Sequence, residues 1–345
     1  AAMVNRFQGC TFSAGQSRSA LRSAAATSKV DGLEVRGCQF LMPLPFCYAI
    51  NFTSGTADGT VLQGNTVVLG TSSNGFYFDF SAAAMVIQGN TLSMGGSGTG
   101  ILLVSSSMTI RANRITGAGT GMDLGSAGGL VANNMVQASN NGVNINGATA
   151  LSLVFNSVST TGQSAACQIN NSAAGSVTLK DNVLACSGTG LPLNVNSVVS
   201  VLASPDHNDY FAAGPTLAII GATTCPTLAA VRAATGADVH SVNVAPAFVS
   251  STDLHTAAPG LDGAGTPIAS VLDDFDGQLR NATTPDIGAD EFTNGVVDNT
   301  PPNTTITSGV ADGGWSSIAL PAFGWIGADD ISLPATLRYE TSVDG

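Results

Sequence analysis

Groups able to do acid–base or metal chemistry are unevenly spread along this 345-residue chain. Residues 1–205 hold only six carboxylates (Asp31, Glu34, Asp58, Asp79, Asp123 and Asp181) and no histidine. The chain's two lysines are Lys29 and Lys180. Glycoside hydrolysis needs a carboxylate pair ~5–10 Å apart, and no close pair stands out from spacing alone. Acid concentrates later, in Asp273, Asp274, Asp276, Asp286, Asp290 and Glu291, with Gly277 available for a turn. Oxygen ligands at alternate positions beside a glycine suit a structural Ca²⁺, with Asp273, Asp274, Asp276 and Asp286 as its candidate ligands. A second reading of the same segment is a turn pinned by an Arg280–carboxylate pair. No cofactor is required by any motif. His207, His240 and His255 lack HxH or HxxxH spacing and read as local hydrogen-bonding residues. Six cysteines with no CxxC pair exclude zinc-ribbon and thioredoxin-type chemistry.

The elements that must position these groups come from an internal repeat. Blocks recur as GCTF (9–12), GCQF (37–40), GNTV (64–67), GNTL (89–92), ANRI (112–115), NNMV (133–136), FNSV (155–158), DNVL (181–184) and HNDY (207–210). Their second residues are Cys10, Cys38, Asn65, Asn90, Asn113, Asn134, Asn156, Asn182 and Asn208, spaced 28, 27, 25, 23, 21, 22, 26 and 26 apart. Around each mark, apolar residues alternate with polar ones in three short runs per repeat, the period of half-buried strands. The third run follows a small residue, as in Gly75-Phe76, Gly100-Ile101, Gly121-Met122, Gly142-Val143 and Gly190-Leu191. Three strands per ~25 residues without a helix exclude a propeller blade and a leucine-rich repeat. The expected fold is all-β, a three-sheet parallel β-helix in which like residues stack at ~4.8 Å. Asn65, Asn90, Asn113, Asn134, Asn156 and Asn182 should then form an amide ladder. Cys10 and Cys38 would lie ~5 Å apart, within disulfide range. A disulfide and a stack of thiols both fit.

Strand phase then sorts the side chains. With Phe76, Phe78 and Phe80 inward, Tyr77 and Asp79 face out. The same register places Asp123, Asn144, Asn146, Gln168, Asn170 and Asn194 outward on one sheet. A polar stripe with one aromatic is the composition of a shallow sugar-binding face. Asp79 and Asp123 would stand roughly 10 Å apart, near the limit for an inverting pair. Glu34, Arg36, Arg111 and Lys180 occupy a second outer face and read as solubilising charge or a neighbour contact.

The G-N-x-[VIL] coils resemble the right-handed parallel β-helix repeats of pectate-lyase-like proteins. The series DHNDYF, TLAAVRAATGADVHS, PAFVSSTDLH, LDGAGTP, DDFDGQLR and DIGADEF (206–292) resembles the C-terminal part of secreted bacterial β-helix proteins of choice-of-anchor Q type. It departs from that pattern at Ala245 and at 258–262. The end of the chain, TTITSGVADGG with WSSIALPAFGWIGADD, resembles the opening of a bacterial immunoglobulin-like module. These resemblances imply a secreted or bacterial cell-surface protein and carry no specific reaction. The tight Asp pairs of polygalacturonases and the multi-Asp calcium sites of pectate lyases have no counterpart in the coils.

Charge follows the same division. Residues 1–205 carry 8 basic and 6 acidic groups, residues 206–345 carry 3 and 17, and the net is −12. That sign disfavours nucleic acid as a partner, and no run of 18 apolar residues spans a membrane. The expected organisation is coils over 1–205, and further coils with a cap and one short helix over 206–292. A linker over 293–303 and a partial immunoglobulin-like module over 304–345 complete it. The helix, over residues 227–234, and the acidic loops after it are expected to cover the solenoid's open end. Both ends suggest a piece of a longer chain, whose other domains would be partners. The functional expectation is a structural or adhesive protein contacting polysaccharide or surface glycan. The alternative is a polysaccharide lyase or glycoside hydrolase of pectate-lyase-like type.

Overall fold

The computed structural model of the chain describes residues 5–13, 18–23, 29–105, 107–292, 303–308 and 324–328. It is a parallel β-solenoid of about eight turns. One face is an eight-stranded parallel sheet running from Arg6–Gln8 to Val177–Lys180. Two further strand ladders merge into a 17-stranded sheet, because Arg114–Gly125 and Met135–Asn146 run unbroken across the corner between them. The spacing of the repeat reappears as register: Arg6 pairs with Glu34, Glu34 with Val61, Val86 with Val61, Met85 with Met108, and Met108 with Gly129.

Inward residues stack like on like. Leu62, Ile87, Ile110, Val131, Leu153 and Leu179 form one fully buried column. Phe40, Val67, Leu92, Ile115, Val136, Val158, Leu184 and Tyr210 form another. Each such side chain contributes about 1.5–3 kcal/mol relative to exposure. In the third run, Leu193 aligns with Cys167 and Val143, so the counterparts of Gly142 are Ala166 and Pro192. Gly190 stands two residues ahead of the position expected for it.

The amide column joins consecutive coils. Asn65 Nδ2 donates to Asn90 Oδ1 at 2.8 Å, Asn90 to Asn113 at 2.9 Å and Asn113 to Asn134 at 2.9 Å. Asn134 reaches Asn156 at 2.9 Å, Asn156 reaches Asn182 at 3.0 Å and Asn182 reaches Asn208 at 3.0 Å. Ser241 Oγ ends the column by accepting from the Asn208 N–H. At the other end sulfur takes the place of the amide: Cys10 N–H donates to Cys38 Sγ at 3.4 Å. Cys10 and Cys38 are free thiols, so the disulfide option fails. Each thiol instead donates to the carbonyl two residues back, Gln8 or Arg36, as Asn90 does with Gln88.

The residue before each ladder position has a left-handed backbone. Gly9, Gly37, Gly64 and Gly89 supply it in the first coils, with φ of 57–63°. Ala112, Asn133, Phe155, Asp181 and His207 then adopt φ of 51–57° at the same corner, where a side chain costs ~1–2 kcal/mol.

Residues 206–292 do two separate jobs. Helix Leu228–Thr235, capped by Thr227 and Gly236, packs Val231 against the main core together with Cys225. The antiparallel strand Thr223–Cys225 closes the edge of Ala218–Ile220. The acidic loops, expected at that open end, instead run back along the side of the solenoid. Arg111 pairs with Asp273, 162 residues away in sequence. Residues Val183, Ala185, Phe155, Val154 and Met135 pack against Leu261, Ile287, Val271, Leu254 and Ala289 of the tail. Strands Asn303–Ser308 and Gly324–Ala328 form an antiparallel pair. The expected linker (except Asn303) and the rest of the expected immunoglobulin-like module lie outside the described residues. No described helix is long and apolar enough to cross a membrane.

Candidate functional site

The outward face of the third strand ladder carries most of the residues selected from strand phase. One column runs Tyr77, Leu102, Asp123, Asn144, Gln168, Asn194. Beside it runs Val104, Gly125, Asn146, Asn170, Asn196. The polar tips are tied together: Asn144 Nδ2 donates to Asp123 Oδ1 at 2.9 Å, Asn170 to Asn144 at 3.0 Å and Gln168 to Asn170 at 3.1 Å. Leu102 interrupts the first column, which period-two reading from Phe76 did not isolate.

Tyr77 stacks edge-to-face on Tyr48, with ring centroids 5.4 Å apart. Burial, and then the carboxylate of Asp79, Tyr48 and the carboxylate of Asp123, raise the Tyr77 hydroxyl above its ordinary pKa. Asp79 is exposed but stands outside both columns. Leu103 pairs with Phe78 while Val104 pairs with Ser81, and the slip of register leaves Asp79 in the bulge. The face is thus a tied run of polar side chains starting at Asp123, set off by Leu102 from an aromatic pair beside Asp79.

The four carboxylates chosen for Ca²⁺ do not converge. Asp273 pairs with Arg111. Asp274 accepts from the backbone N–H groups of Asp276, Gln278 and Glu291. Asp286 accepts from Gly263 and Phe292. Only Asp276 stands among potential metal-ligand atoms, and its companions are His255 and Asp290. Backbone amides draw the others apart, since irregular loops must satisfy buried N–H groups with side-chain oxygens. Arg280 is the pin expected of it, contacting Glu291 at 3.3 Å and the carbonyls of Gly288 and Ala289 at 2.9 and 3.0 Å.

The residues that fasten the tail were not singled out from the sequence. Asn133 accepts from Arg280 and donates to the Asp273 carbonyl. Phe155 lies 4.2 Å beneath the Arg280 guanidinium. Asp181 accepts from Thr266 N–H, and His207 Nδ1 meets the Ala264 carbonyl at 2.8 Å. These are the left-handed corner residues, so the signal was present: GN becomes AN, NN, FN, DN and HN where the tail docks.

Two histidine clusters follow from that docking. Asp206 accepts from His240 Nδ1 at 2.8 Å, and the His207 and His240 rings stack 4.6 Å apart. This cluster is partly exposed. The second is buried: His255 Nε2 lies 2.6 Å from Asp276 Oδ2, and its Nδ1 bonds Asp253. Burial opposes the charged ring, but bonding to Asp276 and the charges of Asp290 and Asp276 outweigh it, raising His255 to about 9.

Residues 48–202 match the family model of NosD, described as a periplasmic copper-binding protein. The match covers 155 of 345 residues. No curated protein and no solved structure matches the chain. Copper would need imidazole or accessible sulfur. The matched segment contains no histidine. Met85, Met94, Met108, Met122, Met135, Cys167 and Cys186, the sulfur residues of that segment, are all buried. Burial drives the Cys167 thiol up to about 12, opposing the thiolate a metal requires. The matched coils therefore do not fit copper, and imidazole ligands occur only after them.

Proposed function

We propose that this is a periplasmic or extracellular β-solenoid whose third-ladder face binds a glycan chain. The observation that carries the reading is the tied polar row of Asp123, Asn144, Gln168 and Asn170, with the Tyr48–Tyr77 pair one coil beyond Leu102 on the same face. Amides spaced by the coil rise offer donors and acceptors at a regular interval, and an aromatic gives a sugar ring an apolar face to cover. The location is supported by the partial match to a family described as periplasmic.

The test is affinity electrophoresis of the full chain against neutral and acidic polysaccharides. A retarded band is expected, with Tyr77→Ala and Gln168→Ala each weakening binding about tenfold, or ~1.4 kcal/mol. Absence of retardation in every polysaccharide would dismiss the reading. Release of unsaturated products or reducing ends that Asp79→Ala or Asp123→Ala abolished would replace it with the enzymatic alternative. The nearness of both carboxylates to the Tyr77 hydroxyl makes that outcome worth measuring.

A further inference from the structure

Asp290 is only 1% exposed, and neither of its carboxylate oxygens has a hydrogen-bond partner. A buried carboxylate left so needs either a proton or a cation. The ligand atoms of Asp290, Asp276 and His255 lie within 4.8 Å of one another. They come from three separate tail loops, which the hydrogen bonds hold together. Asp274 shapes the turn carrying Asp276 and, through its other oxygen, binds the Glu291 N–H beside Asp290. Asp253 holds the Nδ1 side of the His255 ring, and Arg114 stands 3.6 Å from that carboxylate. Phe275 covers the ring edge-on at 5.7 Å, and Met135, Leu254 and Ala289 pack into one apolar cluster with it. An imidazole oriented by a carboxylate on its far nitrogen, facing two more carboxylates in a dry pocket, is a metal-site arrangement.

We propose that His255 Nε2, Asp276 and Asp290 bind one divalent first-row transition cation of the Zn²⁺ type, tying three loops of the tail to one another where the tail packs on the coils. One imidazole with two carboxylates suits such an ion better than Ca²⁺, which takes six to eight oxygens. No cysteine belongs to the group among the described residues. Binding displaces two protons, the one between His255 Nε2 and Asp276 and the one on the Asp290 carboxyl, and both leave to solvent. The partly exposed Asp206, His207 and His240 are not the site: His207 is engaged by the Ala264 carbonyl, and no buried oxygen there lacks a partner.

The full chain is equilibrated with Zn²⁺, desalted and assayed for metal by mass spectrometry, beside thermal melts. One equivalent per chain is expected, with melting roughly 5 °C lower after chelation. Asp290→Asn should carry no metal yet melt like the chelated parent, because an amide replaces a neutral carboxyl without new charge. Asp253→Asn, a positioning change, should weaken Zn²⁺ binding about 10–100-fold. His240→Ala should retain one equivalent. Parent protein without stoichiometric zinc, or an Asp290→Asn variant that keeps it, overturns the proposal in favour of an imidazolium salt-bridged to Asp276 beside a protonated Asp290. Loss of zinc in His240→Ala overturns it in favour of the exposed cluster. Should Asp290→Asn not fold, His255→Gln gives the metal reading, with zinc lost if the proposal holds and kept if it fails.

Discussion

Individual carboxylates in this molecule are spent on backbone amides rather than on lysines. Asp181 accepts from Thr266 N–H and Asp209 from Val244 N–H, each leaving one buried oxygen unpaired. Burial is the main cause raising Asp181 to about 7 and Asp209 to about 8. Around Asp181, Arg280 and Lys180 oppose the rise and Asp206 adds to it. Burial likewise raises Asp286 to about 7, helped by Glu291 and Asp262. An acid with a raised folded pKa adds stability at low pH that disappears as pH climbs through that pKa. Glu34, Asp206 and Asp253 are lowered, so their contribution vanishes only in acid, below 4.5 or 3.8. Burial opposes the lowering in all three, and their Arg or His partners overcome it. Melting temperature should therefore fall steadily between pH 5 and pH 8.5. A curve that is flat or rising over that range would show that these aspartates stay ionised.

At the scale of the coil, the amide column is the most stringent element. Asn113 donates to Ile87, Arg111 and Asn134, and accepts from both nitrogens of Asn90. Asn113→Ala strands several of these groups away from water and should cost roughly 3–5 kcal/mol, read as a lower urea midpoint with unchanged slope. A loss under 1 kcal/mol would mean that water enters the column. This element was legible because only an amide offers donor and acceptor in both directions, so its spacing had to recur. The Asp79 bulge was not legible, since a slip between Leu103 and Val104 leaves the alternation around Phe76 and Phe78 intact. Nor was the path of the tail. It has no period, and its contacts, such as Arg111 with Asp273, join residues that nothing local relates. The outward placement of Asn144, Gln168 and Asn170 on one sheet was legible because they obey the coil register, whereas the disposition of the tail carboxylates was not, because it depends on loop closure.

For the whole molecule, the tail changes what kind of solid the solenoid is. Stacked coils otherwise contact only their neighbours, so each can fray separately. The tail touches Arg111 at one height and His207 at another, crossing several coils. Arg280 is its central fastening, bonded to Asn133 and seated over Phe155. Arg280→Ala leaves buried carbonyls without donors and should loosen the tail by roughly 3–5 kcal/mol. Limited proteolysis should then cut within 243–292 while the coils stay protected. Simultaneous loss of protection in both would mean that coils and tail unfold as one unit.

The left-handed corners turn this strap into a gauge of length. Each non-glycine corner from Ala112 to His207 belongs to one coil, and four of them, Asn133, Phe155, Asp181 and His207, meet a particular point on the tail. Coils with Gly37, Gly64 or Gly89 at that corner present no such peg. Whole coils could therefore be gained or lost in the glycine-cornered half without disturbing the fastening. In the other half, an added coil would put every later peg one rise out of place. The fold thus combines a segment of free length with one whose coil number is fixed by the chain that returns along it.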